Sequence, residues 1–421
     1  MDSKTTVIIG AGPIGIDMAL TLLRAKDSNM DVVVIEKGPD VGAHILEHWA
    51  HVTLFSPHTL NASQTGLEVL SDMKCEPLGP LDPGRFSTGE EFVDHYLKPV
   101  SSFLRQSPKC KLMFNTTVVA AARKNLSKGH LPRAPGKFEL LVEAAGSEDY
   151  LECDYLVDCS GTISTPNFMG KAGMPAAGER QLRAQGKINY HIPAVLESEQ
   201  GALPDKKHVV VIGAGTSAIT SIAKCLNNPF QEHQITWVTR TPVDQTLYDR
   251  VDNDPLPQRD ALFVRGNALA EGLEAAVTHR GCSDVLRVEE LPDGEGFKYR
   301  VILQRRAADG EAPTPAEAVD CHEIVANTGY RPDTAMLNEL QVHYCFASEG
   351  PMKLAAALLS ASGGSSGNCL EQVVPGRDTL RSPEPRLFII GIKSYGRGNA
   401  FLLRIGYEQV QHVAQLIAED A

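Results

Sequence analysis

The apolar positions of the chain fall into short β-branched runs separated by glycine turns and helix-period stretches. The first run, Thr6-Val7-Ile8-Ile9, passes through glycines into a stretch of helical periodicity from Gly15 to Arg24. A second run, Val32-Val33-Val34-Ile35, follows. Continuous apolar runs of this length predict buried strands, and the 3.6-residue spacing between them predicts a helix, which together make a βαβ unit. The same pattern recurs at His208-Val209-Val210-Val211-Ile212, with a helix from Gly213 to Leu226 and a strand at Ile235-Thr236-Trp237-Val238. A unit that occurs twice is an internal architectural repeat, and it predicts two domains of one design.

Strand-like runs lie between the two units, over residues 111–119 and 138–142, followed by Tyr155-Leu156-Val157-Asp158-Cys159-Ser160-Gly161. After the second unit comes a run over 297–303, then Glu323-Ile324-Val325-Ala326-Asn327-Thr328-Gly329. Each series thus ends as a strand running into Ser-Gly or Thr-Gly. Residues 354–367 begin helix-like and end rich in serine and glycine, which predicts a linker. The last block is a strand, Leu387-Phe388-Ile389-Ile390-Gly391, then a helix from about Asn399 to Ala418 with apolar residues at 403, 410, 413 and 417. Those spacings suit a helix packed on a sheet.

At 421 residues the chain exceeds what a single core organises, in line with two domains. Its composition is that of a globular protein, 43% hydrophobic and 22% charged. The 40 basic against 52 acidic residues leave a net charge of -12, which lacks the basic footprint that nucleic-acid binding requires. No apolar stretch is long enough to span a membrane, and the first strand begins too early for a signal peptide, so a cytoplasmic protein is expected. The nine cysteines include no Cys-x-x-Cys pair and read as reduced core residues, which disfavours a redox disulfide.

Gly10-Ala11-Gly12-Pro13-Ile14-Gly15 is a G-x-G-x-x-G fingerprint placed between strand and helix. Gly12 has no side chain to keep a pyrophosphate from the helix N-terminus, and Gly15 lets helix and strand pack closely. Glu36 ends the second strand where a carboxylate can bind ribose hydroxyls, which suits FAD or NAD and disfavours a 2′-phosphate. Lys37 beside it and Val118 are placed in the same cofactor-binding set. Gly213-Ala214-Gly215-Thr216-Ser217-Ala218 repeats the device, but here the second strand ends at Thr239-Arg240. A guanidinium in that place can pair a 2′-phosphate, so NADPH is expected there. Two such folds with unlike ribose chemistry imply a bound FAD reduced by an exchangeable NADPH.

The order GAGPIG, Cys159-Ser160-Gly161, GAGTSA and Asn327-Thr328-Gly329-Tyr330 resembles class B flavin monooxygenases and the wider two-dinucleotide-binding flavoprotein superfamily. The resemblance covers nearly the whole chain. It implies an α/β fold of two Rossmann-like domains, each a three-layer ββα arrangement, with an NADPH domain at 171–332 inserted in an FAD domain at 1–170 and 333–421. By the same resemblance Gly161, Thr328, Gly329 and Gly391 lie against the cofactors. Ser56 and Asn61 become candidates for polar contact with the flavin. Lys393 and Arg397 become candidates for stabilising its anionic reduced form, with Asn399 at the N-terminus of the last helix.

The activity implied is oxygenation. Reduced flavin takes up dioxygen at C4a and passes one oxygen atom to a soft nitrogen or sulfur nucleophile or beside a ketone. The partners expected are therefore a small-molecule substrate and dioxygen, with a homodimer left open. An NADPH-dependent reductase or redox sensor without a disulfide is the alternative. The F-x-G-x-x-x-H-x-x-x-W/F signature of class B monooxygenases is replaced by Gly186-Lys187-Ile188-Asn189-Tyr190-His191, with the histidine one place late. Four histidines, His44, His48, His51 and His58, follow Glu36 at near-helical spacing. With no cysteine or acid evident to complete a ligand set, no metal is expected.

Overall fold

The computed structural model describes residues 3–25, 29–74, 85–133, 135–194, 206–228, 232–242, 245–250, 254, 256–294, 296–307, 314–362, 375–398 and 401–420. They divide into two compact units, Met1–Thr165 with Tyr330–Ala421, and Pro166–Gly329.

The strands of unit 1 are β1 (Lys4–Ile9), β2 (Met30–Ile35), β3 (Cys110–Met113), β4 (Thr116–Arg123), β5 (Phe138–Ala144), β6 (Ser147–Cys153) and β7 (Tyr155–Asp158). Unit 2 holds β8 (Lys206–Ile212), β9 (Glu232–Val238), β10 (Val277–Arg280), β11 (Ser283–Glu290), β12 (Tyr299–Arg305), β13 (Glu317–Cys321) and β14 (Glu323–Ala326). The chain then returns to unit 1 for β15 (Leu387–Ile389). Its helices, in chain order, are α1 (Pro13–Arg24), α2 (Ala43–His48), α3 (His58–Asn61), α4 (Gln64–Asp72), α5 (Gly89–Phe92) and α6 (Lys98–Gln106), then α7 (Glu179–Ala184), α8 (Thr216–Leu226) and α9 (Pro257–Ala270) in unit 2, then α10 (Met352–Ser362) and α11 (Leu403–Asp420).

Unit 1 is built on a five-stranded sheet ordered β15-β7-β1-β2-β3, all of whose pairings are parallel. The late strand β15 therefore completes the sheet that β1 begins, as the sequence leads one to expect. Because successive side chains of a strand point to opposite faces, this sheet serves two cores at once. Val7, Ile9, Val33, Ile35, Leu156 and Ile389 pack against the three-stranded antiparallel sheet β4-β5-β6, through Val118, Phe138, Leu140 and Val142. Ile8, Val32, Val34, Val157 and Phe388 face the helices, among them Met18, Leu20 and Leu22 of α1 and Val410, Val413 and Ile417 of α11.

Unit 2 repeats the plan. Its parallel sheet, β10-β9-β8-β14, turns Val210, Ile212, Val238 and Ile324 toward the antiparallel sheet β11-β12-β13. Val209, Val211, Ile235, Trp237 and Val325 face α8 and α9. Each unit is thus the ββα sandwich implied by the sequence. Fully burying a Val, Leu or Ile side chain contributes roughly 1.5–3 kcal/mol, so these two-faced strands anchor both layers.

Two expectations need correction, and four strands had no signal. The run over 111–119 is not one strand: Asn115 adopts φ +49, its N–H is held by the Gly38 carbonyl, and the chain passes there from β3 in one sheet to β4 in another. The last helix begins at Leu403, four residues later than expected, and Asn399 lies outside the described residues. Strands β6, β10, β11 and β13 carry too many polar residues for apolar runs to reveal them. Residues 354–362 are helical as expected, within α10, while the serine- and glycine-rich stretch after them lies outside the described residues.

Candidate functional site

In unit 1 the site begins where β1 ends. Gly10 takes φ +100, and a Cβ there would stand 2.8 Å from the Cys159 carbonyl oxygen. At Gly15 a Cβ would meet the Gly10 carbonyl oxygen at 1.9 Å. Both glycines are demanded by packing. Gly12 is different, because a Cβ there has no neighbour within 4 Å. It is the N-cap of α1, makes no side-chain cap, and is followed by Pro13. The first turn of α1 therefore meets open space with no capping side chain, the arrangement that receives a phosphate.

Glu36, nearly buried at the end of β2, accepts hydrogen bonds from the Ala11 N–H at 2.7 Å and the Gly38 N–H at 2.8 Å. These two bonds fix the carboxylate at the edge of the glycine turn and leave it acceptor capacity for hydroxyl groups. Lys37 beside it is exposed. Val118 instead buries its side chain between the layers.

The ends of β7 and β15 come to the same edge. Gly161 has φ +72 and only Ile392 near its missing Cβ, while Gly391 has φ +74 and faces Ile14 at 3.5 Å. Gly406 of α11 also faces Ile14, at 2.4 Å, so Ile14 is the point on which α1, β15 and α11 close. Gln409, fully buried, accepts from the Gly391 N–H at 2.8 Å and donates to Ser394 Oγ at 3.0 Å.

Lys393 reaches back to the end of β7. Its ammonium is buried and paired with Asp158 at 2.6 Å, and it donates to Ser160 Oγ at 2.9 Å. Ser160 in turn donates through Oγ at 2.6 Å and N–H at 3.0 Å to Asp158. A buried carboxylate at the end of β7 requires a counter-charge, and Lys393 supplies it. Arg397 likewise is engaged, donating to Glu349 at 2.9 Å.

Ser56 and Asn61 are brought together. Ser56 Oγ donates to Asn61 Oδ1 at 2.7 Å, Asn61 Nδ2 donates to the Ser56 carbonyl at 2.9 Å, and the Tyr407 hydroxyl donates to the Asn61 carbonyl at 2.6 Å. A group that the sequence reading missed lies behind them. Asp17, on the buried face of α1, accepts from Ser63 Oγ, and its other oxygen has no hydrogen-bond partner. Burial pushes its carboxyl up to about 7 against the pull of the Ser63 bond. The Tyr96 hydroxyl accepts from the Ser63 N–H at 2.8 Å. The pattern of α1 marks position 17 as inward-facing, which is the signal that could have revealed it.

Unit 2 repeats the glycine device with other surroundings. Gly213 has φ +134, and a Cβ would meet the Asn327 carbonyl oxygen at 2.2 Å. Gly215, the N-cap of α8, has nothing within 4 Å of its missing Cβ and is exposed. Thr216 and Ser217 open the helix half-buried, and Ala218 is fully buried as the third small residue. Trp237 Nε1 donates to the Gly213 carbonyl at 2.8 Å and Ser221 to Asn327 Oδ1 at 2.7 Å, two supports absent from the sequence reading. Thr239 is buried and Arg240 exposed at the end of β9. Thr328 donates to the Asn167 carbonyl at 2.6 Å, and Gly329 follows at φ +77.

Residues 7–103 match the family model described as pyridine nucleotide-disulphide oxidoreductase. No curated protein matches the chain. Among solved structures, bacillithiol disulfide reductase from Bacillus cereus is similar at 18% identity and a TM-score of 0.65, with 99% of each chain covered. Ornithine hydroxylase from Pseudomonas aeruginosa is similar at 15% identity and a TM-score of 0.63, again over 99% of each chain. Thioredoxin reductase from T. acidophilum is similar at 15% identity and 0.59, over 100% of this chain and 99% of that one. The chain thus has the two-dinucleotide-binding fold, and both disulfide reductases and amine hydroxylases are built on it. No helix among the described residues is long and apolar enough to cross a membrane.

Proposed function

We propose that the chain is an oxidoreductase holding FAD in unit 1 and NADPH in unit 2, and that it oxygenates a small molecule. The observation that carries the cofactor reading is the pairing of an open glycine at each helix N-terminus, Gly12 and Gly215, with unlike residues at the ends of the partner strands, Glu36 and Arg240. Glu36 would accept from the ribose hydroxyls of FAD, and Arg240 would pair the 2′-phosphate of NADPH. The first turns of α1 and α8 would hold the pyrophosphates through backbone N–H groups. Bound FAD would supply two-electron storage and, once reduced, reactivity toward dioxygen. Ser56 and Asn61 would orient polar atoms near it, and Gln409 would keep Gly391 in its left-handed turn.

Oxygenation is favoured over disulfide reduction because the sequence holds no Cys-x-x-Cys and the thiols of Cys110, Cys153, Cys159, Cys225 and Cys321 are all pushed up by burial, which leaves them inert. One observation favours the second reading, a reductase acting through a single thiol. The Cys345 thiol is held below its usual range by hydrogen bonds from the Ser348 backbone and hydroxyl and the Ala347 backbone. The test is NADPH consumption with amines, thioethers and ketones, with product and hydrogen peroxide both measured. Oxygenated product matching the NADPH consumed supports the proposal. Reduction of low-molecular-weight disulfides that Cys345→Ser abolishes, without oxygenated product, replaces it.

A further inference from the structure

The histidines after Glu36 are resolved by the fold into unlike roles. His58 is buried against Tyr96. His44 and His48 stand one turn apart on α2, where residues four apart share a face. Their rings stack with centroids 5.5 Å apart and planes inclined by 29°. Glu47 joins them, its carboxylate 3.6 Å from His48 Nε2. One ligand atom from each of the three residues lies within 4.8 Å of the others. The acid that the sequence reading did not find is thus on the same helix, between the two histidines.

We propose that His44, Glu47 and His48 bind one divalent transition-metal ion of the zinc class. Two imidazole nitrogens and one carboxylate oxygen form the mixed set that borderline ions prefer, whereas Mg²⁺ and Ca²⁺ favour oxygen alone. His44 Nδ1 is buried with no hydrogen-bond partner, a lone pair or N–H that the protein itself leaves unused. Glu47 is exposed, so three ligands cover one side of the ion and water takes the rest.

The site has a structural consequence of its own. At six residues α2 is too short to hold itself, and none of its residues is buried. Its N-cap Gly42 donates to the Ala11 carbonyl at 3.0 Å, inside the glycine turn. An ion bridging successive turns of α2 would therefore stiffen the support of that turn. This inference does not rest on the proposed function.

The experiment is calorimetric titration of Zn²⁺ into the full chain after chelator treatment, repeated with Co²⁺ and read by visible absorption. One equivalent of Zn²⁺ is expected, with a rise in melting temperature by mass action. His44→Gln, His48→Gln and Glu47→Gln, all half-buried or exposed positions, each weaken uptake at least about tenfold and remove the rise. Co²⁺ shows ligand-field bands without the intense near-ultraviolet sulfur-to-metal band of a cysteine site. Absence of uptake, uptake that the three variants leave unchanged, or a sulfur band in the Co²⁺ form overturns the proposal.

Discussion

The two glycine turns share a backbone device and differ in what surrounds it. In unit 1 the turn is enclosed: Gly10 abuts the end of β7, Ile14 is gripped by Gly391 and Gly406, and the Asp158–Lys393 pair is sealed beside it. In unit 2 the turn leans on Asn327 and Trp237, while Gly215 and Arg240 are exposed. Identical local sequence logic thus yields an enclosed turn and an open one. The difference is supplied by β15 and α11, late elements for which unit 2 has no counterpart among its described residues.

The largest effect should come from filling the open space at either glycine. Gly12→Val has room for its Cβ among the protein's own atoms, so it should fold and yet purify colourless. Gly215→Val should stay yellow and lose reduction by NADPH. Absorbance at purification and anaerobic reduction read both outcomes, and a reversed result exchanges the two cofactor assignments. Next is the sealed pair. Lys393→Met leaves the Asp158 carboxylate buried without its cation and should cost about 3–5 kcal/mol in urea unfolding. Lys393→Met with Asp158→Leu should recover most of it, and a double variant as unstable as the single one would deny the pair its role.

Asp17 sharpens the contrast through pH. Its folded value, about 7 against 3.8 unfolded, means the folded state binds the proton more tightly. The stability it contributes is full below about pH 4 and is lost as pH rises toward 7, up to about 4 kcal/mol. Asp17→Asn should flatten that part of the stability profile, and a slope that persists in the variant would assign it to other groups. The smallest effect belongs to the open turn, where Arg240→Ala should raise KM for NADPH about 10- to 100-fold with NADH unchanged. Equal change for both nucleotides would remove Arg240 from the 2′-phosphate.

What the sequence made legible was whatever repeats or is buried on both faces. The runs at Val7, Val32, Val209 and Ile235 are central parallel strands, continuous in apolar residues, and the glycines between strand and helix have no substitute. The antiparallel layer was less readable because one of its faces is polar: β6 reads Ser-Glu-Asp-Tyr-Leu-Glu-Cys and has only its last residue buried. The site was readable where backbone geometry dictates the residue, as at Gly10 and Gly15. It was opaque where partners meet from distant segments. Nothing near Lys393 in the chain announces Asp158, and a cation after a strand reads as available when its counter-ion is 235 positions away. Asp17 lies inside a helix-period stretch, and its cost lies in burial, which periodicity hints at and only packing reveals.

The division of unit 1 by unit 2 also orders events in time. Residues 166–329 are contiguous and own both of their sheets, so on a ribosome they are complete while β15 and α11 are still unmade. Until those segments emerge, β7 is an edge strand with unpaired amides and carbonyls, and Ile14 lacks its grip from Gly391 and Gly406. The nascent chain therefore has the glycine turn of unit 2 in finished form before that of unit 1 can close, so a ligand of the first turn is locked in last.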